Sequence, residues 1–551
     1  MSQKNSVLRI HTKDNVIVAL TDLNKGDVVH YEGDKYELKT DVSAKHKFAS
    51  EDLKEGDLIY MYGVLVGAAT QTILKGELIH THNVIHKAEE YSVQKNDKEI
   101  WKAPDISKFK DKTFQGYHRA DGKVGTQNNW LVIPLVFCEN RNVTVIEKAI
   151  VDQLGFNQKE ESGFAVDKLV NVYKQGASEE EVLSTSIQTS KEEVKTNKLF
   201  PNVDGIHFLR HDGGCGGSTP DSVTLCHLLA GYINNPNVAG ATVLSLGCQH
   251  AQAKILEDAL NSFSKENKKP LYVLTQQESS SERDFIEEAI KKTFVGLIKA
   301  NKFERQAAPL SKLTIGLECG GSDGFSGISA NPTLGYVSDL IVGLGGTTVL
   351  AEFPELNGVE QELINRCDSK ENANKFSNIM STYNAKAELL GGGFHANPSP
   401  GNIKDGLITD AIKSAGAAKK GGSSPITDVL DYTEQITKTG LNLLCTPGND
   451  VESTTGLAGS GCNIILFTTG LGTPTGNPVV PVIKVSSNTK LFNKMNDIID
   501  FNTGGVIEGD TLSSKGEELL EYVIKVASGE KTKAMKLGQN DFIPWKRGMS
   551  L

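Results

Sequence analysis

The most constraining feature of this sequence is a run of nine residues, Trp130-Leu-Val-Ile-Pro-Leu-Val-Phe-Cys138. It is apolar almost without interruption, so no face of it is suited to water. That is the pattern of a strand buried on both sides, which parallel sheets covered by helices provide. Comparable short runs recur at Gly205–Arg210, Ala241–Leu246, Leu271–Thr275, Leu313–Leu317, Thr347–Ala351 and Gly440–Leu444. Helical periodicity falls between them, at Ala253–Lys265, Ser281–Asn301 and Glu360–Cys367. Strands alternating with helices and ending in glycine loops predict α/β domains with largely parallel sheets.

The first 90 residues have another texture. One phrase returns three times: Leu23-Asn-Lys-Gly-Asp-Val-Val29, Leu53-Lys-Glu-Gly-Asp-Leu-Ile59 and Ile73-Leu-Lys-Gly-Glu-Leu-Ile79. Glycine followed by an acid, ahead of a strand, is turn chemistry, so a small β module is expected here. The predicted division is 1–90 for this module, 91–113 for a charged linker, 114–265 for a second α/β domain and 266–551 for a third. A chain of 551 residues exceeds what one core sustains, which agrees with several domains. Lys531–Leu551 reads as a polar tail with one apolar patch, Phe542-Ile-Pro-Trp545.

Composition excludes several classes. A formal charge of −10 without a basic cluster argues against nucleic acid as the partner. No apolar stretch is long enough to span a bilayer, and Met1–Arg9 lacks a signal-peptide core, so a cytoplasmic location without a membrane partner is expected. Eight cysteines in such a chain read as thiols or ligands. Gly343-Leu-Gly-Gly346 follows a helix-like run, which makes it a helix stop and not a dinucleotide fingerprint.

Three cysteines stand at predicted strand ends beside glycines: Cys215, Cys248 and Cys319. Thiolates on three loops suit iron, zinc or an iron–sulfur cluster, whereas the plainer reading is small residues packed in tight loops. His211 shares a loop with Cys215 and is a metal-ligand or acid/base candidate. On an extended strand His80 and His82 would share a face and chelate a metal; a polar edge strand is the competing reading. Acids near loop ends, Glu318, Asp323, Glu352, Glu355 and Asp450, are candidates for cation binding or proton transfer, although solvated surface acids are commoner.

Three longer phrases carry a resemblance. Gly116-Tyr-His-Arg-Ala-Asp-Gly-Lys-Val-Gly-Thr-Gln-Asn128, Leu317-Glu-Cys-Gly-Gly-Ser-Asp-Gly-Phe-Ser-Gly-Ile-Ser-Ala-Asn-Pro332 and Asn397-Pro-Ser-Pro-Gly-Asn402 resemble the altronate/galactarate dehydratases. The N-terminal module resembles the SAF, or β-clip, domain of that family. The phrases Leu441–Asp450 and His80-Thr-His-Asn83 resemble its altronate branch. Positions matching the family pattern are His46, Lys47, His211, Cys215, Cys248, Cys319, Ser322, Asp323, Asn331, Glu352, Asn402, Asp450 and Asp500. Two positions depart from it, Leu471 where the family has arginine and Thr475 where it has tyrosine. The glycines around Cys215 are a further departure.

The resemblance implies a hydro-lyase that removes water from a hexonate, with Fe2+ as cofactor and Mn2+ as an alternative ion. Such a reaction removes the proton beside the carboxylate and expels a hydroxyl from the next carbon, which calls for a base, an acid and a metal to stabilise enolate-like charge. Cys215, Cys248, Cys319 and His80 are the expected metal ligands. His211, His82, Asp323 and Glu352 are the expected catalytic groups, and Ser322, Asn331, Asn402 and Lys47 the expected substrate contacts. An alternative places the metal on His80 and His82 with the cysteines lining the pocket. Galactarate or a sulfonated hydroxy acid as substrate, or a sugar-acid-binding protein without turnover, are the competing functions. A homo-oligomer is expected for an enzyme of this size.

Overall fold

The computed structural model describes residues 6–94, 100–156, 164–188, 198–263 and 269–550. The N-terminal module consists of small antiparallel sheets. One has four strands in the order Val7–Leu8, Val16–Ala19, Lys47–Ala49, Leu78–Ile79; another joins Leu58–Met61, Val64–Ala69 and Val84–Ile85. The repeated phrase builds its corners. Gly26, Gly56 and Gly76 all have φ between 86° and 90°, a left-handed conformation that glycine adopts without strain. The acid after each glycine folds back: Asp27, Asp57 and Glu77 accept hydrogen bonds from the backbone N–H of Asn24, Lys54 and Leu74 at 2.7, 2.7 and 2.9 Å. Gly76 also lies against another strand, where a Cβ would stand 2.2 Å from the Glu37 carbonyl oxygen.

The run at Trp130 is the strand Asn129–Pro134, buried at every residue. It is central in a parallel sheet ordered Gly205–Phe208, Asn129–Pro134, Val238–Ser245, Leu271–Thr275. The Trp130 ring fills the space between the sheet and the helix Glu282–Ala300, so close that a Cβ on Gly296 would meet it at 2.1 Å. The predicted boundary at 265/266 lies outside the described residues. The strand Leu271–Thr275 and the helix Glu282–Ala300 beyond it complete this second sheet, so the second domain extends past that boundary. The chain then passes through Gln306–Pro309, antiparallel to Thr113–His118, before the third domain starts. Of the predicted linker, residues 95–99 lie outside the described residues, and 100–106 carry no regular element.

The third domain holds seven parallel strands in the order Ile426–Leu430, Gly440–Leu444, Thr347–Leu350, Thr314–Cys319, Ile464–Thr469, Val482–Ser486, Phe501–Asn502. From Thr314–Cys319 the chain fills one side of the sheet and then the other. The carboxyl end of that strand is therefore the switch point where open α/β sheets leave a crevice. The glycines after Leu344 do end a helix, Ala330–Gly343. One apolar cluster runs from Val16 and Ile59 of the N-terminal module to Leu334 and Ile412 of the third domain, so the two share a core. No helix among the described residues is long and apolar enough to cross a membrane.

Candidate functional site

At the switch point lies a cavity of about 530 Å3, lined by Cys319–Ser322 at the end of the strand Thr314–Cys319, by Glu352, Pro354 and Glu355 after Thr347–Leu350, and by Gly448 and Asp450 after Gly440–Leu444. Asn397, Asn402 and Lys413 close it from one side, and Leu471 stands at its edge, 37% exposed. The first three groups arrive at strand ends, whereas Asn402 and Lys413 come from the helices Pro400–Lys404 and Asp410–Ala418, so residues far apart in sequence converge.

The innermost group is a buried triad. Lys420 Nζ donates to Cys319 Sγ at 2.7 Å and to Glu352 Oε2 at 2.8 Å. The same carboxylate oxygen accepts from the Cys319 backbone N–H at 3.0 Å and from its thiol at 3.3 Å. Glu352 occupies this position with φ 66°, a conformation that costs a non-glycine residue about 1–3 kcal/mol and recurs at functional sites. Burial alone would strip Lys420 of its proton, but Cys319, Glu352 and Glu318 outweigh it and raise its pKa. Burial, then Glu352, pushes the Cys319 thiol up, and the same two causes raise Glu318.

Nearer the cavity mouth, Lys413 donates to Glu355 Oε1 at 2.8 Å and to Asn397 Oδ1 at 2.7 Å. Burial works to lower the Lys413 pKa and the Glu355 charge overrides it, so the ammonium keeps its proton. Asp450 opens the helix Asp450–Ser460, capped by Asn449. Burial, then the charges of Glu352 and Glu355, pushes its carboxyl up to about 7. The N-terminus of this eleven-residue helix also brings a positive dipole end to the cavity, with the Val451 and Glu452 N–H groups already taken by Asn449 Oδ1.

The expected site residues divide. Cys319, Ser322, Glu352 and Asn402 meet at this cavity. Asp323 is close by but has a structural role: Oδ1 accepts from Ser326 and Ser487, and Oδ2 from Asn488 and Lys45. Asn331 is likewise committed, to Gly416 O at 3.0 Å and Thr468 Oγ1 at 2.8 Å. Lys47 is buried beneath the rim, donates to Gly406 O at 2.6 Å, and is lowered by burial to about 7.

Cys215, Cys248 and His211 belong to loops of the second domain. The two cysteines are exposed, and Cys248 Sγ accepts from Gln277 at 3.2 Å. Both His211 ring nitrogens are used, Nε2 with Pro134 O at 2.7 Å and Nδ1 with Gly213 N at 3.1 Å. Cys215, Cys248 and Cys319 do not gather as one donor set, and among the described residues no three His, Cys, Asp or Glu side chains already stand at ligand distance from a common point.

The premise for His80 and His82 also changes. The strand ends at Ile79 and the chain turns, because Asn83 accepts from His80 N and donates to Leu78 O. The rings nevertheless stack, His46 on His80 at 5.6 Å and His80 on His82 at 6.1 Å between centroids, with His46 Nε2 3.1 Å from Lys404 O beside Asn402. The N-terminal module thus docks on the loop that borders the cavity.

Three family models cover almost the whole chain: the altronate/galactarate dehydratase SAF domain over residues 5–87, the D-galactarate dehydratase/altronate hydrolase second domain over 116–301, and the D-galactarate/altronate dehydratase C-terminal domain over 310–550. The chain belongs to the altronate/galactarate dehydratase family. Among curated members of this family, the altronate dehydratase of Bacillus subtilis is 34% identical over 99% of this chain and 100% of its own length. The altronate dehydratase of Escherichia coli is 31% identical over 99% of each chain. The galactarate dehydratase of Escherichia coli is 30% identical over 95% of this chain and 93% of its own.

For the divalent ion expected from the sequence, the cavity has donors of suitable chemistry. Glu352, Glu355 and Asp450 line the same cavity, though not at ligand distance from one point, and Glu355 Oε2 is buried without a hydrogen-bond partner among the described residues. Oxygen donors held together at such a cost suit a hard or borderline cation.

Proposed function

We propose that this member of the family dehydrates D-altronate to 2-dehydro-3-deoxy-D-gluconate with Fe2+, or Mn2+ in its place. The reading is carried by one observation: a carboxylate ion-paired to a buried lysine, a second lysine–carboxylate pair and a helix N-terminus converge on one cavity at the sheet's switch point. Full-length likeness to two altronate dehydratases supports the choice of substrate.

Glu355 and Asp450 would hold the ion, which supplies Lewis acidity to the substrate carboxylate and adjoining hydroxyl. Lys420 holds Glu352 against the wall, and Glu352 takes the proton from carbon 2. Lys413, kept protonated by Glu355, donates to the hydroxyl that leaves carbon 3. Ser322 and Asn402, which also line the cavity, would meet the sugar hydroxyls. The Asp450 helix N-terminus faces the carboxylate. Leu471 adds an apolar contact at the edge.

The test is anaerobic turnover of D-altronate by the full chain with ferrous iron, reading the 2-keto-3-deoxy product, with galactarate in parallel and a chelator control. Chelator-sensitive product from altronate alone supports the reading. Turnover of galactarate alone moves the chain to the other branch of the family, and turnover of neither sinks the proposal.

A further inference from the structure

Lys420 Nζ and Cys319 Sγ are 2.7 Å apart. Among the described residues a comparable amide-to-sulfur contact, Gln277 Nε2 to Cys248 Sγ, is 3.2 Å. The short pair is enclosed: Lys420 is 1% exposed and Cys319 4%. Neither side chain has room to turn away, because Glu352 Oε2 binds both. Cys319 nevertheless forms part of the cavity wall, so a small neutral oxidant that enters the cavity meets this residue.

We propose that Cys319 and Lys420 are a modification site at which dioxygen installs a covalent nitrogen–oxygen–sulfur bridge, taking the cation away from Glu352 under oxidising conditions. The chemistry balances. The ion pair is the resting form, and the step draws on its proton-shifted form, in which the extra proton of Lys420 sits on the Glu352 carboxylate, 2.8 Å away, and the amine is neutral. One S–H bond, one N–H bond and the O–O bond then break, an S–O and an O–N bond form, and the second oxygen leaves as water. Sulfur and nitrogen each give up two electrons, and one dioxygen takes four. A dithiol reductant reverses the step, with two dithiols supplying four electrons and four protons to return the thiol, the amine and water.

Isolated cysteines stop at sulfenic acid or continue to sulfinic acid. Here the sulfenate-level sulfur is formed against an amine that cannot leave, which diverts it into the bridge. The bridged nitrogen is barely basic, so Glu352 loses its counter-ion and the triad loses its charge arrangement. The bridge depends on the geometry of the pair and not on which sugar acid the cavity takes.

The experiment is peptide mapping of the full chain, purified without oxygen, then split into samples kept anaerobic, exposed to air, and exposed to air then treated with dithiothreitol. The expected result is a cross-linked peptide pair joining Cys319 to Lys420, heavier than its two halves by one oxygen less two hydrogens, present only in the air-exposed sample. Cys319→Ser and Lys420→Arg each abolish it. Air-exposed wild-type chain in which Cys319 remains a free thiol, or carries sulfenic or sulfinic acid with Lys420 unmodified, overturns the proposal. The wild-type map decides the question even if neither variant folds.

Discussion

Gly320 lies so close to Asp450 that a Cβ on it would come 2.2 Å from Asp450 Oδ2 and 2.5 Å from the Phe467 ring. Phe467 is held by the core, so the Asp450 carboxylate is the group that must give way. Gly320→Ala is therefore expected to displace the Asp450 carboxylate and lower kcat by a hundredfold or so, as about 1 Å of misplacement does. Its circular dichroism should match wild type. Unchanged kcat would show that Asp450 is not placed for the reaction.

The raised pKa of Asp450 makes a statement about stability. In the metal-free protein the folded state holds this proton up to about pH 7, whereas the unfolded chain releases it near 3.8. The group therefore contributes stability that is complete below pH 3.8 and lost as pH rises through 7. Relative to Asp450→Asn, metal-free wild type should lose stability across that window, by at most roughly 1.4 kcal/mol per pH unit. Urea titrations at several pH values measure it, and a flat difference would contradict the shift.

Removing Lys420 leaves Glu352 buried without its cation. Lys420→Met should destabilise the fold by about 3–5 kcal/mol, the usual cost of breaking a buried pair from one side. Adding Glu352→Gln should recover part of that loss, because the uncompensated charge is then gone. A double variant no more stable than Lys420→Met would mean that Lys420 is needed chiefly for its packing.

Ferrous or manganous ion should raise the melting temperature of the anaerobic protein, since a ligand that binds the folded state alone stabilises it by mass action. Glu355→Gln should weaken that dependence at least tenfold in metal concentration. Equal responses from wild type and variant would remove Glu355 from the metal site.

What could be read from sequence alone follows the range of the forces involved. The strand at Trp130 and the corners at Gly26, Gly56 and Gly76 are local: apolar runs and turn chemistry reveal them whatever the rest of the chain does. Glu352 and Cys319 were legible as acid and thiol beside glycine at strand ends. Lys420 was not, because Lys419-Lys420-Gly421 has the look of a solvated surface pair, and only the sheet topology carries it to Cys319. Lys413 is hidden in the same way on the helix Asp410–Ala418. The separation of Cys215 and Cys248 from Cys319 was equally invisible, since glycine-flanked cysteines at strand ends look alike whichever sheet they belong to. The apolar patch at Phe542–Trp545 was visible in the sequence, but not its seat: Trp545 packs on Tyr383 and Tyr432, with ring centroids 5.1 and 5.2 Å away.

Lys45 reaches Asp405 at 2.7 Å and Asp323 at 3.1 Å, across more than 270 residues of chain. Because both partners belong to one polypeptide, these few polar contacts act at the effective concentration set by the tether and not at that of free molecules in the cell. An N-terminal module cut loose at residues 91–113 would have to find its seat by diffusion. Occupancy of the cavity rim by the His46–His82 edge would then depend on how much of each fragment is present, and the tether removes that dependence.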